Sequence, residues 1–305
     1  MSVRIGLSMS AFPFTSPGAM WRWVETCEDS KVDSIWQTDR LVSSEPYLEP
    51  LTGLAVLAGG TSRLKFGMNV LVLTLRDPLV VAKQCATVDF LSNGRFLPAF
   101  GVGSDTAPEF RATAADRAHR GARMDEALPL IARLWAGESV THAGKHYQFT
   151  EARIGPLPKQ SPLPLWIGGS SPAAIRRTAA MGTGWLGGGQ TVEETAPVIA
   201  AIRAAAIEAG RPIDDDHYGI SHGFRFGSLE DARAQQAVKR LAPGRNPADY
   251  FAIGDAATII ERCRAFRAAG VSKFVLRPIG DSDDDILDQT RRLIETVLPE
   301  VHSWD

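Results

Sequence analysis

Short β-rich runs alternate with longer helical segments along the chain, and this alternation restricts the fold more than any other feature of the sequence. The predicted strands are 3–9, 33–38, 64–72, 96–103, 164–169, 183–188, 217–224 and 273–278. Helical periodicity between them covers, among others, 17–30, 78–92, 116–137, 191–210, 255–270 and 283–298. A β-then-α order requires right-handed crossovers, so the strands form a parallel sheet that helices cover. Eight such units predict a closed (β/α)8 TIM barrel; a doubly wound open sheet, the alternative, usually has about five or six strands.

Residues that commonly begin and end helices stand at the expected places. Gly137, Gly210 and Gly270 each follow the last periodic residue of a predicted helix, where glycine adopts the left-handed C′ conformation. Pro17 and Pro78 stand at helix starts, where the missing N–H removes no hydrogen bond. The local chemistry therefore agrees with the long-range pattern.

The chain length of 305 residues suits one α/β barrel, which needs roughly 250 residues. We therefore predict a single domain over 1–305 that carries two insertions. Segment 139–163 contains a hairpin-like run and a Pro-rich connector, and segment 225–251 is long and polar. Insertions of this size belong on loops, and the loops at the C-terminal face of a barrel carry function. Both insertions are predicted at that face.

The composition excludes several classes of protein. The formal net charge is −2 with no block of basic residues, so a nucleic-acid or anionic-membrane surface is not expected. No apolar run reaches the ~18 residues of a membrane span, and the N-terminus lacks a signal-peptide layout. Cys27, Cys85 and Cys263 lie far apart in apolar helical contexts, as reduced core cysteines do. We expect a cytoplasmic protein whose partner is a small-molecule substrate.

The stretch 34-SIWQTDRLVSSE-45 begins as a buried strand and ends in polar residues. Asp39 and Arg40 stand where that strand reaches the surface. They form either a surface ion pair or the floor of an active site.

Glycine-rich segments follow three of the predicted strands. In 101-GVGSD-105, glycine lets the backbone approach a flat or phosphorylated ligand, or simply fits a crowded barrel wall. In 166-WIGGSSPAAIRR-177, two glycines and two serines precede a helix start at Pro172, an arrangement that suits a phosphate. The loop 183-TGWLGGGQT-191 adds further glycines. Tight turns are the alternative for each of the last two loops alone, but together these two favour an anion-binding site at one mouth of the barrel.

No metal site or catalytic nucleophile is predicted. The six histidines show no ligand spacing with nearby acids: His119, His142, His146, His217, His222 and His302. His142 and His146 are four apart, but the residues between them read as a turn. No GxSxG or CxxC motif is present.

With these residues in view, the sequence resembles the bacterial luciferase-like family of flavin- and deazaflavin-dependent oxidoreductases. The resemblance covers nearly the whole chain. Its motifs occur in the family's order: 35-IWQTDRL-41, the segment 63–103 with its R-x-P and L-S-x-G-R elements, 109-EF-110, 120-RGARMDEAL-128, 144-GKHYQF-149, 156-PLPKQSPLPLWIGGSSPAA-174 and 270-GVSKFVL-276.

The resemblance implies an (α/β)8 barrel with the flavin ring at the C-terminal mouth. It implies a non-prolyl cis peptide bond at Asn69–Val70, behind the ring. It assigns the cofactor phosphate to Gly168, Gly169 and Ser170, in agreement with the glycine-loop argument. The remaining residues predicted to contact the cofactor are Asp39, Gly101, Gly103 and Ser104. Dimers are common in the family, so a homodimer is expected.

The pattern W-x-x-D looks more like the branch that uses the deazaflavin coenzyme F420 than the branch that uses FMN. The implied reaction is hydride transfer to or from a small organic substrate. An FMN-dependent monooxygenase, supplied by a separate flavin reductase, is the first alternative. A non-catalytic flavin-binding barrel is the second.

Arg40 replaces the histidine that the family usually carries after the aspartate. Arginine stays protonated, so Arg40 can hold an anion or a carbonyl oxygen but cannot relay a proton. Asp39 is the first choice for the acid/base group, and the other candidates are Asp105, Glu109 and His222. The family's sugar-6-phosphate dehydrogenases carry an acid and a tryptophan where this chain has Thr106 and Ser44, so oxidation of glucose 6-phosphate is not expected.

Overall fold

The computed structural model of the chain describes residues 3–11 and 14–304; residues 1–2, 12–13 and 305 of the predicted domain lie outside this description. The strands are β1 Arg4–Ser8, β2 Ser34–Gln37, β3 Lys65–Met68, β4 Leu71–Val72, β5 Phe96–Leu97, β6 Ala99–Gly101, β7 Val140–Ala143, β8 Gln148–Ala152, β9 Trp166–Gly168, β10 Gly184–Gly188, β11 Tyr218–Phe226, β12 Phe251–Gly254 and β13 Lys273–Pro278. The helices are α1 Pro17–Glu28, α2 Pro50–Gly60, α3 Pro78–Leu91, α4 Glu109–Ala112, α5 Arg120–Trp135, α6 Pro172–Met181, α7 Val192–Glu208, α8 Ala232–Val238, α9 Pro247–Tyr250, α10 Ala256–Ala268, α11 Asp283–Thr296 and α12 Leu298–Val301.

The parallel strands close into a ring of eight positions, which confirms the predicted barrel. The pairing order runs β9–β10–β11–β13–β1–β2–β3–β5, and β6 pairs with both β4 and β9. The third position is shared by β3 and β4, and the fourth by β5 and β6. Because each pair is a single strand interrupted once, the order returns to its start, and all eight predicted strands lie in the ring.

The interruption of the third strand is a one-residue bulge. Gly67 pairs with Leu97, whereas Leu71 pairs with Phe100, so the third strand has one residue more than its neighbour between these points. The peptide bond Asn69–Val70 inside the bulge is cis, as the resemblance implies. A bulge changes the direction of the side chains that follow it. This bulge lies at the C-terminal end of the barrel.

The two insertions lie at different kinds of connection. Segment 225–251 follows β11 and contains α8 and α9, so it is a β-to-α loop at the C-terminal face, as predicted. The predicted position of 139–163 is corrected, because this segment joins α5 to β9 and leads into the N-terminal end of a strand. Its hairpin, β7–β8, runs back beside α5, where Glu126 accepts hydrogen bonds from His142 Nε2 and from the backbone N–H of Tyr147.

Two tryptophans fill the middle of the barrel. The rings of Trp36 and Trp166 meet edge-on with centroids 6.2 Å apart. They form an interior cluster with Ala99, Leu186 and Val275. Strand residues alternate between the interior and the helix layer, so the next inward position on each strand lies above this cluster, at the C-terminal mouth. The cluster is therefore the floor of the mouth.

Among the residues that the structure describes, no helix is both long and apolar enough to cross a membrane. The three cysteines are free and buried, and burial is the main reason that the pKa of each thiol is raised. They are inert core residues, as the sequence predicts.

Candidate active site at the C-terminal mouth of the barrel

Asp39 forms a buried ion pair close to the C-terminal mouth of the barrel. Its side chain is 1% exposed and meets the guanidinium of Arg76 at 2.6 and 3.1 Å. The backbone N–H of Val72 donates a third hydrogen bond to the carboxylate, at 2.9 Å. Burial lowers the pKa of Arg76, but its bonds to Asp39 and Glu49 outweigh burial and raise it. The carboxylate of Asp39 thus ties the loop after β2 to the strand segment that follows the bulge.

Arg40 has a different environment from Asp39. It is exposed and makes no hydrogen bond or ion pair with any described residue. The two residues therefore do not form a pair with each other. The guanidinium of Arg40 is available to a ligand or to solvent.

The bulge on the third strand contacts three other strands. Asn69 Nδ2 donates to Ser221 Oγ on β11, at 3.0 Å, across the interior of the barrel. Val70 fills space that the neighbouring glycines leave open, because a Cβ on Gly101 or Gly168 would lie 2.7 or 2.9 Å from a methyl group of Val70. Glycine at 101 and 168 is therefore required by packing against Val70, which explains two of the predicted cofactor residues physically.

The segment after β6 curves away from the barrel wall. Gly103 has a φ of +77°, and a Cβ there would meet Val72 and Phe110 at about 3.0 Å. The exposed Ser104 Oγ lies 3.2 Å from Thr106 Oγ1. The predicted residues Gly101, Gly103 and Ser104 thus lie together on one edge of the mouth.

The glycine loop after β9 leads into α6. Gly169 has a φ of +105°, and its carbonyl accepts a hydrogen bond from Trp185 Nε1 at 2.8 Å. Ser170 is exposed, and Ser171 caps α6 by accepting from the N–H of Ala174. The positive end of the α6 dipole therefore faces this loop, which suits an anion.

Glu109 lies in the loop region that follows β6, at the start of α4. It is 3% exposed, and no described residue donates a hydrogen bond to its buried Oε2 atom. Buried carboxylate oxygens in folded proteins normally have a partner. Glu109 is thus the carboxylate of this region whose hydrogen bonds the described chain does not supply.

The other two candidates for the acid/base group, Asp105 and His222, contact residues outside the mouth. Asp105 is exposed and pairs with Arg120 at 2.5 Å. His222 faces the helix layer, where its ring stacks on Phe266 with centroids 5.3 Å apart. Burial, with a smaller contribution from the charge of Arg262, lowers the pKa of His222 to about 3. His222 is a neutral core residue outside the mouth.

Arg277 was missed by sequence reasoning. It follows the interior residue Val275 by two positions on β13, so it faces the mouth, and a Cβ on Gly223 would lie 3.2 Å from its Nη2. No described residue accepts a hydrogen bond from it. Burial is the main reason that its pKa is lowered, while Tyr47 acts in the opposite direction. The alternation of residues in 273-KFVLRP-278 could have indicated this position, because Arg277 lies on the same face of the strand as the inward Val275.

Comparison with known proteins decides the family. A profile of the luciferase-like monooxygenase family matches residues 4–242. The chain belongs to this family. An uncharacterised protein of Mycobacterium tuberculosis is 33% identical over 191 residues, which are 62% of this chain and 65% of that protein. The aligned part is thus slightly less than two thirds of the relative's own length.

A second relative matches over nearly its full length. The F420-dependent glucose-6-phosphate dehydrogenase of Amycolatopsis mediterranei is 26% identical over 99% of both chains. Among solved structures, an F420-dependent secondary alcohol dehydrogenase has a TM-score of 0.82 at 18% identity, covering 97% of this chain and 99% of its own. The FMN-bound oxygenating constituent of 3,6-diketocamphane monooxygenase from Pseudomonas putida has a TM-score of 0.77 at 16% identity, covering 98% and 99%. These structures show the shared fold.

Proposed function

We propose that this protein is an F420-dependent oxidoreductase that transfers a hydride to or from a small organic substrate at the C-terminal mouth of its barrel. The observation that carries the proposal is the apolar surface that Val70 forms over Gly101 and Gly168 at the mouth, beside a glycine loop that leads to the start of α6. The F420-dependent dehydrogenases among the relatives support the choice of cofactor.

The residues present fit such a cofactor. Val70 packs over Gly101 and Gly168 and offers an apolar surface that suits a flat ring, and the loop of Gly169 and Ser170 suits a phosphate. The bound deazaflavin supplies a carbon that gives or takes a hydride, and the protein supplies orientation and proton handling. Asn69, whose side chain is held by its hydrogen bond to Ser221 on β11, would form part of the surface that holds the ring.

We propose different roles for the two acidic residues. Asp39 acts as a positioning residue, because Arg76 and the N–H of Val72 occupy its oxygens. Glu109 is the better proton donor or acceptor, since its buried Oε2 has no described partner. A general acid or base must keep one oxygen free for the proton that it moves.

Two arginines define the substrate end of the site. Arg40 is exposed and Arg277 is partly buried, and neither has a hydrogen-bond acceptor among the described residues. A guanidinium group without a carboxylate partner can donate hydrogen bonds to a carbonyl, carboxylate or phosphate oxygen. We infer a substrate that carries such an oxygen close to the reacting carbon.

Steady-state kinetics test these roles. The oxidised deazaflavin is mixed with the protein and with secondary alcohols, hydroxy acids and glucose 6-phosphate, and loss of its absorbance is followed. Glu109→Gln is expected to lower kcat by about a hundredfold or more, as for other general acid–base groups, with unchanged cofactor affinity. Arg277→Met is expected to raise the KM of the accepted substrate about tenfold or more and to leave cofactor affinity unchanged. Unchanged kcat in Glu109→Gln would contradict the assignment.

The homodimer is a further proposal. The neighbouring helices α2 and α3 expose Val56, Val80, Phe90 and Leu91, each at least 48% exposed. Burying these side chains against a second copy would remove apolar surface from water. Sedimentation of the wild type and of Phe90→Asp tests this, since the variant is expected to dissociate at concentrations where the wild type is dimeric.

A further inference from the structure

Three hydroxyl groups form a chain at the mouth, where β1 and β2 end. The Oγ atoms of Ser8 and Ser10 are 2.6 Å apart, and Ser10 Oγ lies 2.5 Å from Thr38 Oγ1. Ser8 also accepts a hydrogen bond from the backbone N–H of Ser10, at 3.2 Å. The function proposed above leaves these three residues without a role.

The directions of the hydrogen bonds follow from counting donors and acceptors. Each hydroxyl has one proton to donate and can accept two bonds. Ser8 is 2% exposed, and the described residues offer its proton no acceptor other than Ser10 Oγ. If the hydrogen bonds ran from Thr38 to Ser10 to Ser8, the proton of Ser8 would be buried without a partner, which is unfavourable. Ser8 therefore donates to Ser10, and Ser10 either donates to Thr38 or also accepts from Thr38. Of these two orders, Ser8 to Ser10 to Thr38 is the one that leaves the remaining proton on Thr38.

This order leaves the proton of Thr38 without an acceptor in the described chain. Thr38 is half-buried and follows the inward residue Trp36 by two positions, so its hydroxyl lies above the floor of the mouth. It also lies next to the bulge, because the carbonyl of the preceding residue Gln37 accepts the N–H of Asn69 at 2.8 Å. A hydroxyl that already accepts a hydrogen bond is polarised and becomes a stronger donor.

We propose that the Thr38 hydroxyl is a fixed hydrogen-bond donor to an acceptor atom, such as a carbonyl oxygen, on the ring of the bound flavin-type cofactor. The proposal rests on the function proposed above. The row of three hydroxyls does not conduct protons. It begins where Ser8 accepts from the backbone N–H of Ser10, and this amide does not give up and regain its proton during turnover. It orients the ring, and the proton of the reaction is handled elsewhere.

Binding titrations test the donor. Thr38→Val keeps the shape of the side chain and removes the donor, whereas Thr38→Ser keeps the donor. Thr195→Val removes a buried hydroxyl that donates to the carbonyl of Thr191, the residue before α7. Each protein is titrated with the deazaflavin and with FMN, and the absorption spectrum of the bound ring is recorded. Thr38→Val is expected to bind the deazaflavin about three- to tenfold more weakly, with a shifted absorption maximum. Thr38→Ser and Thr195→Val should resemble the wild type.

The titrations separate the two proposals. If the wild type binds only FMN, the F420 assignment fails, and the same three- to tenfold comparison with FMN still tests Thr38. Equal affinity and spectra in the wild type and Thr38→Val would overturn the role of Thr38 alone. A neutron crystal structure of the full chain tests the bond directions without any ligand. Deuterium on Ser8 directed at Ser10, and on Ser10 directed at Thr38, supports the donor, and deuterium on Thr38 directed at Ser10 overturns it.

Discussion

Replacing Asp39 by asparagine separates a structural role from a catalytic one. The side chain is 1% exposed, and the substitution weakens hydrogen bonds of 2.6 and 3.1 Å to Arg76 and one of 2.9 Å to the N–H of Val72. Removing one member of a buried ion pair costs about 3–5 kcal/mol. Arg76 keeps its bond to Glu49 at 3.1 Å and is itself 16% exposed, so we expect the lower end, about 3 kcal/mol.

Urea unfolding at pH 7, followed by circular dichroism, measures this loss of stability. The matched control is Glu138→Gln, which breaks the exposed pair between Arg133 and Glu138 and is expected to cost less than about 1 kcal/mol. In Asp39→Asn we also expect weaker binding of the deazaflavin, because the ion pair anchors Val72 next to the bulge. A loss below about 1 kcal/mol together with abolished turnover would refute this reasoning and restore Asp39 as the acid/base group.

The remaining predictions concern a glycine and a histidine. Gly168→Ala places a Cβ 2.9 Å from a methyl group of Val70, so we expect a loss of about 1–3 kcal/mol and weaker deazaflavin binding in a titration. Gly59→Ala, whose Cβ meets nothing within 4 Å, is the control and should be neutral or stabilising. The pKa of His222 is about 3 in the folded protein, against an ordinary value of 6.5. Between these values the unfolded chain binds the extra proton, so stability falls as pH falls, by about 2 kcal/mol from pH 8 to pH 5. His222→Leu should lack this part of the pH dependence in urea unfolding, and an identical slope in both proteins would contradict the assignment.

The order of the barrel strands could be predicted because it depends on local patterns. Apolar runs, helix-opening prolines and C′ glycines each act over a few residues, and their repetition fixes the topology. The strand β12 at 251–254 was missed because a polar segment surrounds it. The location of 139–163 was misassigned although the order of elements contains the answer: a segment between a helix and the next strand leads to the N-terminal end of that strand.

Side-chain partners were harder to predict because they join distant positions. Asp39 and Arg76 are 37 residues apart, and nothing near 34–45 indicates that the carboxylate is already occupied. The inward Arg277 and the outward His222 could have been assigned by alternation. His222 shares a face with Ile220 and Phe224, which are fully buried, so the apolar pattern of β11 places it in the helix layer.

Binding of the two flavins to the wild-type protein tests the central claim most directly. The purified chain is titrated with coenzyme F420 and, separately, with FMN, with ring fluorescence and heat recorded in each case. We predict saturable binding of the deazaflavin in the micromolar range or tighter, no comparable binding of FMN, and a weaker deazaflavin complex in Gly168→Ala. Saturable binding of FMN alone would contradict the account and favour the monooxygenase reaction. Binding of neither flavin would contradict the proposed function of the mouth altogether.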